Sequence, residues 1–222
     1  GRTSDGGYAL RRGADPAKDQ SYVVHMLDQA QLARTLFPVG GLQKADVRAL
    51  AASIDLRTAD KPDSQDVCFI TSTGGRTAFL GDRIPFRPGV VVDTRGNRVG
   101  EVESVELVTV GQRKGLGLPG GGPKRYAVDV DTATSTVTVG ADDDMLRPGL
   151  VVDAATWVDG PVTGDALVQS SAHGHPLPAS IAVAGDAVTV TWQTPQRRIA
   201  PGQSVVFYTG DDVSVLGGGT CR

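Results

Sequence analysis

Cysteine is scarce in this chain: only Cys68 and Cys221 occur among 222 residues. Two thiols so far apart give no disulfide framework, and they fit a reducing compartment. Long hydrophobic runs are missing as well, so no segment reads as a bilayer span. The N-terminus Gly1-Arg2-Thr3-Ser4-Asp5 has no apolar core of the kind a signal peptide carries, and a cytoplasmic protein is expected. Nor is there an excess of charge of one sign: 22 basic against 25 acidic residues leave a formal −3. The overall balance therefore advertises no polyanionic partner. Any nucleic-acid contact has to come from local cations, and Arg113-Lys114, Lys124-Arg125 and Arg197-Arg198 are the pairs on offer. Taken singly, each pair is an ordinary solvated surface doublet. His173 and His175 straddle Gly174 with no third ligand nearby, so no metal site is predicted.

What is present is a soluble globular composition, 40% hydrophobic and 21% charged, long enough for two or three compact units. Tyr8 to Arg12 reads as a short strand, followed by a turn through Asp15-Pro16. From Lys18 to about Leu36 the spacing of Val23, Met26, Leu27, Ala30 and Ala33 predicts a helix with one apolar stripe, packed on a sheet largely missing from the chain. Asp19 at its start is suited to capping a first-turn amide, while Lys18 and Gln20 are equally suited to phosphates and base edges. Pro38, Gly40 and Gly41 break the chain before a second helix, about Lys44 to Ser53, whose buried side is read as Val47, Leu50, Ala51 and Ile54.

Thr71-Ser72-Thr73-Gly74-Gly75 reads as a linker and sets a boundary near residue 71. Beyond it, Gly89–Asp93 is a strand leading to a turn at Asp93–Asn97, and Tyr126–Val130 pairs with Thr136–Val139. The Gly120–Pro123 run is read as a flexible turn, since no helix follows it to make a phosphate cradle. From about Met145 onward, short β-rich segments at Leu150–Val152, Leu167–Gln169, Ser180–Val183, Ala187–Trp192, Ser204–Tyr208 and Val213–Leu216 predict a small closed β-barrel. Gly217-Gly218-Gly219 is read as a turn after the last strand, leaving Cys221 as an exposed, incidental thiol.

The densest polar cluster surrounds the other cysteine, in Lys61-Pro62-Asp63-Ser64-Gln65-Asp66-Val67-Cys68-Phe69-Ile70. Pro62 turns Lys61 away from helical geometry, and Asp63 and Ser64 offer side-chain acceptors to nearby amides, so the stretch is an ordered turn delivering Cys68 onto an apolar run. By composition alone, a cysteine between Val67 and Phe69 is a small core residue before it is a nucleophile. Asp66, two residues away, disfavours a thiolate by charge. However, the stretch resembles the signature around the persulfide-carrying cysteine of tRNA-specific 2-thiouridylases. Further matches follow in family order: Lys18-Asp19-Gln20-Ser21-Tyr22, Leu36-Phe37-Pro38-Val39-Gly40, Gly111-Gln112-Arg113-Lys114-Gly115-Leu116-Gly117, Pro201 to Tyr208, and Leu216-Gly217-Gly218-Gly219.

The resemblance implies an α/β remnant of an ATP pyrophosphatase domain (1–70) bearing the catalytic Cys68, a small mixed central tRNA-binding domain (71–143), and a C-terminal antiparallel β-barrel (144–222). It implies tRNA contacts at Lys18, Asp19, Gln20, Gln112, Arg113, Lys114 and Gln203. ATP with its accompanying Mg is the implied cofactor, and the anticodon region of the Lys, Glu and Gln acceptor tRNAs the implied substrate. The implied sulfur donor is a cysteine desulfurase or relay protein. The family's opening Ser-Gly-Gly-x-Asp-Ser phosphate loop and its first catalytic cysteine have no counterpart in the sequence, so the chain is expected to be the C-terminal part of such an enzyme, with most of the ATP site outside it. It also departs from the family pattern at Val102, Ser104 and Val108, where relatives carry Gly-Glu-His-x-Gly and Tyr-Thr, and at Ser171, where an arginine is usual. A non-catalytic RNA-binding module is the alternative reading, and a β-barrel adaptor for protein partners a third.

Overall fold

The computed structural model describes residues 1–3, 6–63, 76–120 and 122–222. The signature stretch from Ser64 to Ile70, with Asp66 and Cys68, lies outside the described residues, as do the linker Thr71–Gly75 and Gly121 of the predicted turn. The described chain divides into two compact units, one of residues 1–61, 148–195 and 199–222, the other of residues 62–147 and 196–198.

The first unit is built on a closed six-stranded antiparallel barrel. Its strands are β5 (Leu146–Trp157), β6 (Gly164–Gln169), β7 (Leu177–Ala184), β8 (Ala187–Arg197), β9 (Ser204–Tyr208) and β10 (Val215–Cys221), closed in the order β10-β5-β8-β7-β6-β9. Strands form where the β-rich segments predict them, and on β7 and β8 alternate residues fill the barrel: Ala179 and Ile181, and Val188, Val190 and Trp192, point inward with Val152, Val168, Val205 and Phe207. Phe207 stacks on Trp157 with ring centroids 5.5 Å apart.

Gly217-Gly218-Gly219 is not the turn that the sequence predicts. These glycines are the middle of β10, paired with both β5 and β9, and they close the barrel. A side chain has no room there, because a Cβ on Gly218 would lie 2.6 Å from the Val205 carbonyl oxygen and 2.6 Å from the His25 ring. Cys221, expected to be exposed, is 4% exposed and belongs to the barrel core.

Residues 8–32 pack on the outside of this barrel and make a second small core of Leu10, Leu32, Val158, Val206, Tyr208 and Val215. The predicted strand at Tyr8–Arg12 is an extended segment with only isolated bridges, Arg2 to Tyr8 and Arg11 to Ser214. The predicted helix from Lys18 to Leu36 is replaced by turns and a single helical turn, α1 (Gln29–Leu32), started by an Asp28 capping box. Side-chain bonds explain the difference: Asp19 takes the amides of Gly13 and Ser21, a local alternative to helical pairing. The stripe is rearranged accordingly. Val23 and Met26 are half exposed, and Tyr22, Val24, Leu27 and Leu32 face the barrel instead.

Helix α2 (Lys44–Ser53) forms where expected, but the side read as buried is only partly covered: Val47 and Ala51 are half-buried, while Leu50 is 55% and Ile54 61% exposed. Leu36, Phe37 and Val39 are exposed as well.

The second unit contains α3 (Arg76–Gly81) and a four-stranded sheet of β1 (Gly89–Asp93), β2 (Arg98–Val102), β3 (Tyr126–Asp131) and β4 (Thr136–Gly140), ordered β2-β1-β4-β3. The predicted β3/β4 pairing is antiparallel, while β1 and β4 run parallel. The Asp93–Asn97 turn is held by the Asp93 carboxylate, which accepts from the Arg95 and Asn97 amides. The departures at Val102 and Val108 are core residues, buried with Val91, Val105, Leu116 and Val137, so the apolar side chains at these two positions serve packing.

One clamp in this unit makes a pH prediction. Arg87 donates its backbone amide and its Nε to the Glu106 carboxylate at 3.0 and 2.8 Å, and its Nη2 to the Thr132 carbonyl at 2.7 Å. These Arg87 bonds, backbone first, hold the Glu106 carboxyl down at about 2 from an ordinary 4.5. A carboxyl depressed on folding stabilises the folded state above its unfolded value. That contribution is therefore full above about pH 4.5 and is lost as the pH falls toward 2. A carbon-13 carboxyl titration should place the Glu106 midpoint near 2, and a midpoint near 4.5 would show that the clamp does not form in solution.

Candidate nucleic-acid interface

The site residues expected from the sequence fall on two surfaces, one in each unit. In the first unit Lys18, Asp19 and Gln20 follow the Asp15-Pro16 turn, with Lys18 and Gln20 exposed and Asp19 turned inward. Asp19 is held on every side. Its Oδ1 accepts the Gly13 and Ser21 amides at 2.8 and 3.0 Å, and its Oδ2 accepts Ser21 Oγ at 2.7 Å and Arg12 Nη1 at 2.9 Å. Burial by itself pushes this carboxyl up, but the bonds from Gly13, Ser21 and Arg12 together prevail and hold it below the usual carboxylate range.

Arg12 was not among the residues singled out in the sequence, yet it is the hub of this surface. Its Nε donates to Asp212 Oδ1 at 2.7 Å and its Nη2 to Gln169 Oε1 at 3.0 Å, while the guanidinium lies 3.7 Å from the centre of the Tyr208 ring. Gln169, 3% exposed, passes the contact on by donating Nε2 to the Ser171 carbonyl at 2.8 Å. Tyr208 completes the ring of contacts through its hydroxyl, 3.3 Å from Ser21 Oγ. An Arg-Arg doublet at positions 11 and 12 looks like a surface pair in sequence, and only the barrel residues it meets, far along the chain, distinguish Arg12.

The same segment is pinned near the other barrel residue expected to face RNA. Tyr22 donates its hydroxyl to the Ser204 carbonyl at 2.6 Å, one residue from the exposed Gln203. Gln29 clasps the segment further along, accepting from the Tyr8 amide at 2.8 Å and donating to the Tyr8 and Val158 carbonyls at 2.7 and 2.8 Å. A groove of about 780 Å³ is lined by Arg11, Lys18 and Gln20 together with Leu36, Phe37 and Val39. Cations and an aromatic ring lining one groove suit a phosphate and a base together.

In the second unit Gln112, Arg113 and Lys114 form a loop between left-handed glycines, Gly111 at φ +86° and Gly115 at φ +69°. Gln112 is engaged inside this loop: its Oε1 accepts the Thr109 amide at 3.1 Å and its Nε2 donates to the Lys114 carbonyl at 2.8 Å. Arg113 and Lys114 are exposed at its tip. Gly117 anchors the end, since a Cβ there would collide with the Glu101 carbonyl oxygen at 1.7 Å. The structure thus presents Lys18, Gln20, Gln203, Arg113 and Lys114 outward and turns Asp19 and Gln112 inward.

The N-terminus of α2, where a phosphate would seek unpaired amides, already has the Lys44 amide bonded to the Asp15 carboxylate at 3.0 Å and carries Asp46 in its first turn.

Residues 2–72 match a family described as the tRNA methyl transferase HUP domain, residues 77–141 its PRC-barrel domain, and residues 147–221 the aminomethyltransferase beta-barrel domain. The chain is 46% identical over 222 residues to the tRNA-specific 2-thiouridylase MnmA of Symbiobacterium thermophilum, covering 97% of this chain and 56% of that protein. It is 44% identical to the protein of the same name from Acidothermus cellulolyticus, with 96% and 60% covered, and 44% identical to that of Mycolicibacterium gilvum, with 100% and 63% covered. The chain therefore spans somewhat more than half the length of the relatives it matches. With three successive family matches along its length, and with a barrel and a mixed-sheet unit where two of them fall, this chain belongs to the tRNA-specific 2-thiouridylase family.

Proposed function

We propose that this chain is the sulfur-carrying and RNA-gripping portion of an enzyme that places sulfur on C2 of the wobble uridine of tRNA. The observation that carries this reading is the Lys61–Ile70 signature around Cys68, in a chain similar from end to end to proteins named tRNA-specific 2-thiouridylase. The three segments 1–70, 71–143 and 144–222 are its sulfur-carrying, central and barrel parts. Lys18, Gln20, Gln203, Arg113 and Lys114 supply phosphate and base-edge contacts to the anticodon arm, with the Lys, Glu and Gln acceptors as the expected tRNAs and the cytoplasm as the expected location.

Cys68 takes part as a thiolate. It attacks the outer sulfur of a persulfide on a donor protein such as a cysteine desulfurase, the donor's S–S bond breaks, and the donor cysteine leaves as a thiolate. Cys68 is left as a persulfide, whose terminal sulfur is more acidic than a thiol and so is the nucleophile at neutral pH. Replacing the C2 oxygen also requires that oxygen to be activated, which the family resemblance assigns to ATP. Among the described residues the start of α2 does not fit that nucleotide, because the Lys44 amide is already bonded to the Asp15 carboxylate, and the sequence has no Ser-Gly-Gly-x-Asp-Ser loop. We assign activation to the part of the relatives' length that this chain does not span.

Incubation with a cysteine desulfurase and cysteine should add one reducible sulfur, about 32 Da by intact mass, to the wild-type chain and none to Cys68→Ser. The same chain should give no ATP–pyrophosphate exchange. A wild-type mass that does not change, or a gain placed on the buried Cys221, would favour a non-catalytic RNA-binding module instead.

A further inference from the structure

We propose that Arg12 is a positioning residue for RNA binding, and that it sets the outward pose of Lys18 and Gln20 by holding Asp19 inward; this rests on the reading that these two residues meet RNA. A carboxylate has about four lone-pair positions. Those of Asp19 are all taken, by the Gly13 amide, the Ser21 amide, Ser21 Oγ and Arg12 Nη1, at distances from 2.7 to 3.0 Å. The Asp19 side chain is 8% exposed. An RNA hydroxyl or amine reaching it would have to displace one of these donors, so Asp19 organises the loop without touching the ligand.

Arg12 is equally closed to a phosphate. Its guanidinium lies between two carboxylates, Asp19 and Asp212, donates to the Gln169 amide oxygen, and is covered on one face by the Tyr208 ring. Two anions already neutralise it. What it does have is reach: three barrel residues, Gln169, Tyr208 and Asp212, are connected through one planar fork to the carboxylate that fixes residues 13 to 21. The turn containing Lys18 and Gln20 is thereby referenced to the barrel rather than left to its own short-range bonds. Lysine cannot reproduce this, because one ammonium does not span Asp19, Asp212 and Gln169 in a plane.

The test is a double-mutant cycle on the full chain, with a synthetic anticodon stem-loop bearing an unmodified wobble uridine as probe. Fluorescence anisotropy at low salt should show Arg12→Gln binding about tenfold more weakly than wild type, the loss expected when charge-assisted bonds that orient a contact are removed. In a Lys18→Gln/Gln20→Ala background the same change should alter affinity less than about twofold, since the groups it positions are gone. Arg12→Lys should recover only part of the wild-type affinity. An equal loss in both backgrounds would overturn the proposal, as would no loss in the wild-type background. Amide hydrogen exchange gives an RNA-independent reading on the same variants: Gly13 and Ser21 should exchange faster in Arg12→Gln, with β7 and β8 unchanged. Failure of the wild-type chain to bind the stem-loop would sink the RNA-contact reading, and unchanged exchange at Gly13 and Ser21 would sink the positioning role.

Discussion

Replacing Gly218 by alanine is expected to destabilise the barrel by about 1–3 kcal/mol, and replacing it by valine by more, although either change adds only apolar atoms. The cost comes from backbone, which has the least freedom to yield. A Cβ at this position meets the Val205 carbonyl oxygen at 2.6 Å, the Val206 Cα at 3.1 Å and the ring of His25 at 2.6 Å. Val205 and Val206 lie on β9, the strand that β10 must pair with to close the barrel, so β9 and β10 have to separate or His25 has to leave. His25 is 5% exposed and its Nδ1 lies 2.8 Å from the Tyr22 carbonyl, which ties any shift to the Lys18–Tyr22 segment. Urea denaturation followed by tryptophan fluorescence reads the loss directly, since Trp157 and Trp192 both belong to or pack against the barrel core. An alanine variant as stable as wild type would mean that β10 does not close the barrel through these glycines.

That strand also shows where sequence reasoning stops. Three consecutive glycines carry no alternation and no β-branched side chain, so local rules read a turn, and only the pairing partners at Thr156, Trp157, Val205 and Val206 reveal why glycine stands there. The other five barrel strands were legible because they are rich in β-branched and aromatic residues between Gly, Pro and Asp turns, and β7 and β8 alternate inward and outward as well. The segment from Lys18 to Leu36 was misread for the opposite reason. Its helical spacing is real in the sequence, but Asp19 captures the Gly13 and Ser21 amides first, and the barrel rewards Tyr22 and Val24 over Val23 and Met26. Of the site, the outward cations were legible from motif and charge. Arg12 was not, because its meaning depends on Gln169, Tyr208 and Asp212, which lie 157 to 200 positions away.

Tyr208→Ala should produce the largest loss of stability in this chain, about 3–5 kcal/mol. The side chain is fully buried, and it sits where the second small core meets the polar hub: Leu10, Leu32 and Val215 pack beside it, and the Arg12 guanidinium lies 3.7 Å from its ring centre. Truncation leaves a cavity beneath residues 8–32 and strips one face from a guanidinium that is itself only 19% exposed. Tyr208→Phe separates these effects. It keeps the ring, the cavity filling and the cation–π contact, and removes only the hydroxyl that stands 3.3 Å from Ser21 Oγ, so about 0.5–1.5 kcal/mol is expected. Ser21 still has the Asp19 carboxylate to bond with at 2.7 Å, which favours the lower end of that range. Hydrogen exchange should then divide the two variants by region. In Tyr208→Phe protection should fall only around Ser21, whereas in Tyr208→Ala it should fall across residues 8–32 before the inward strands β7 and β8 are affected. Equal losses in the two variants would place the energy in the hydroxyl rather than the ring, and the N-terminal segment would then be held to the barrel by its polar hub alone.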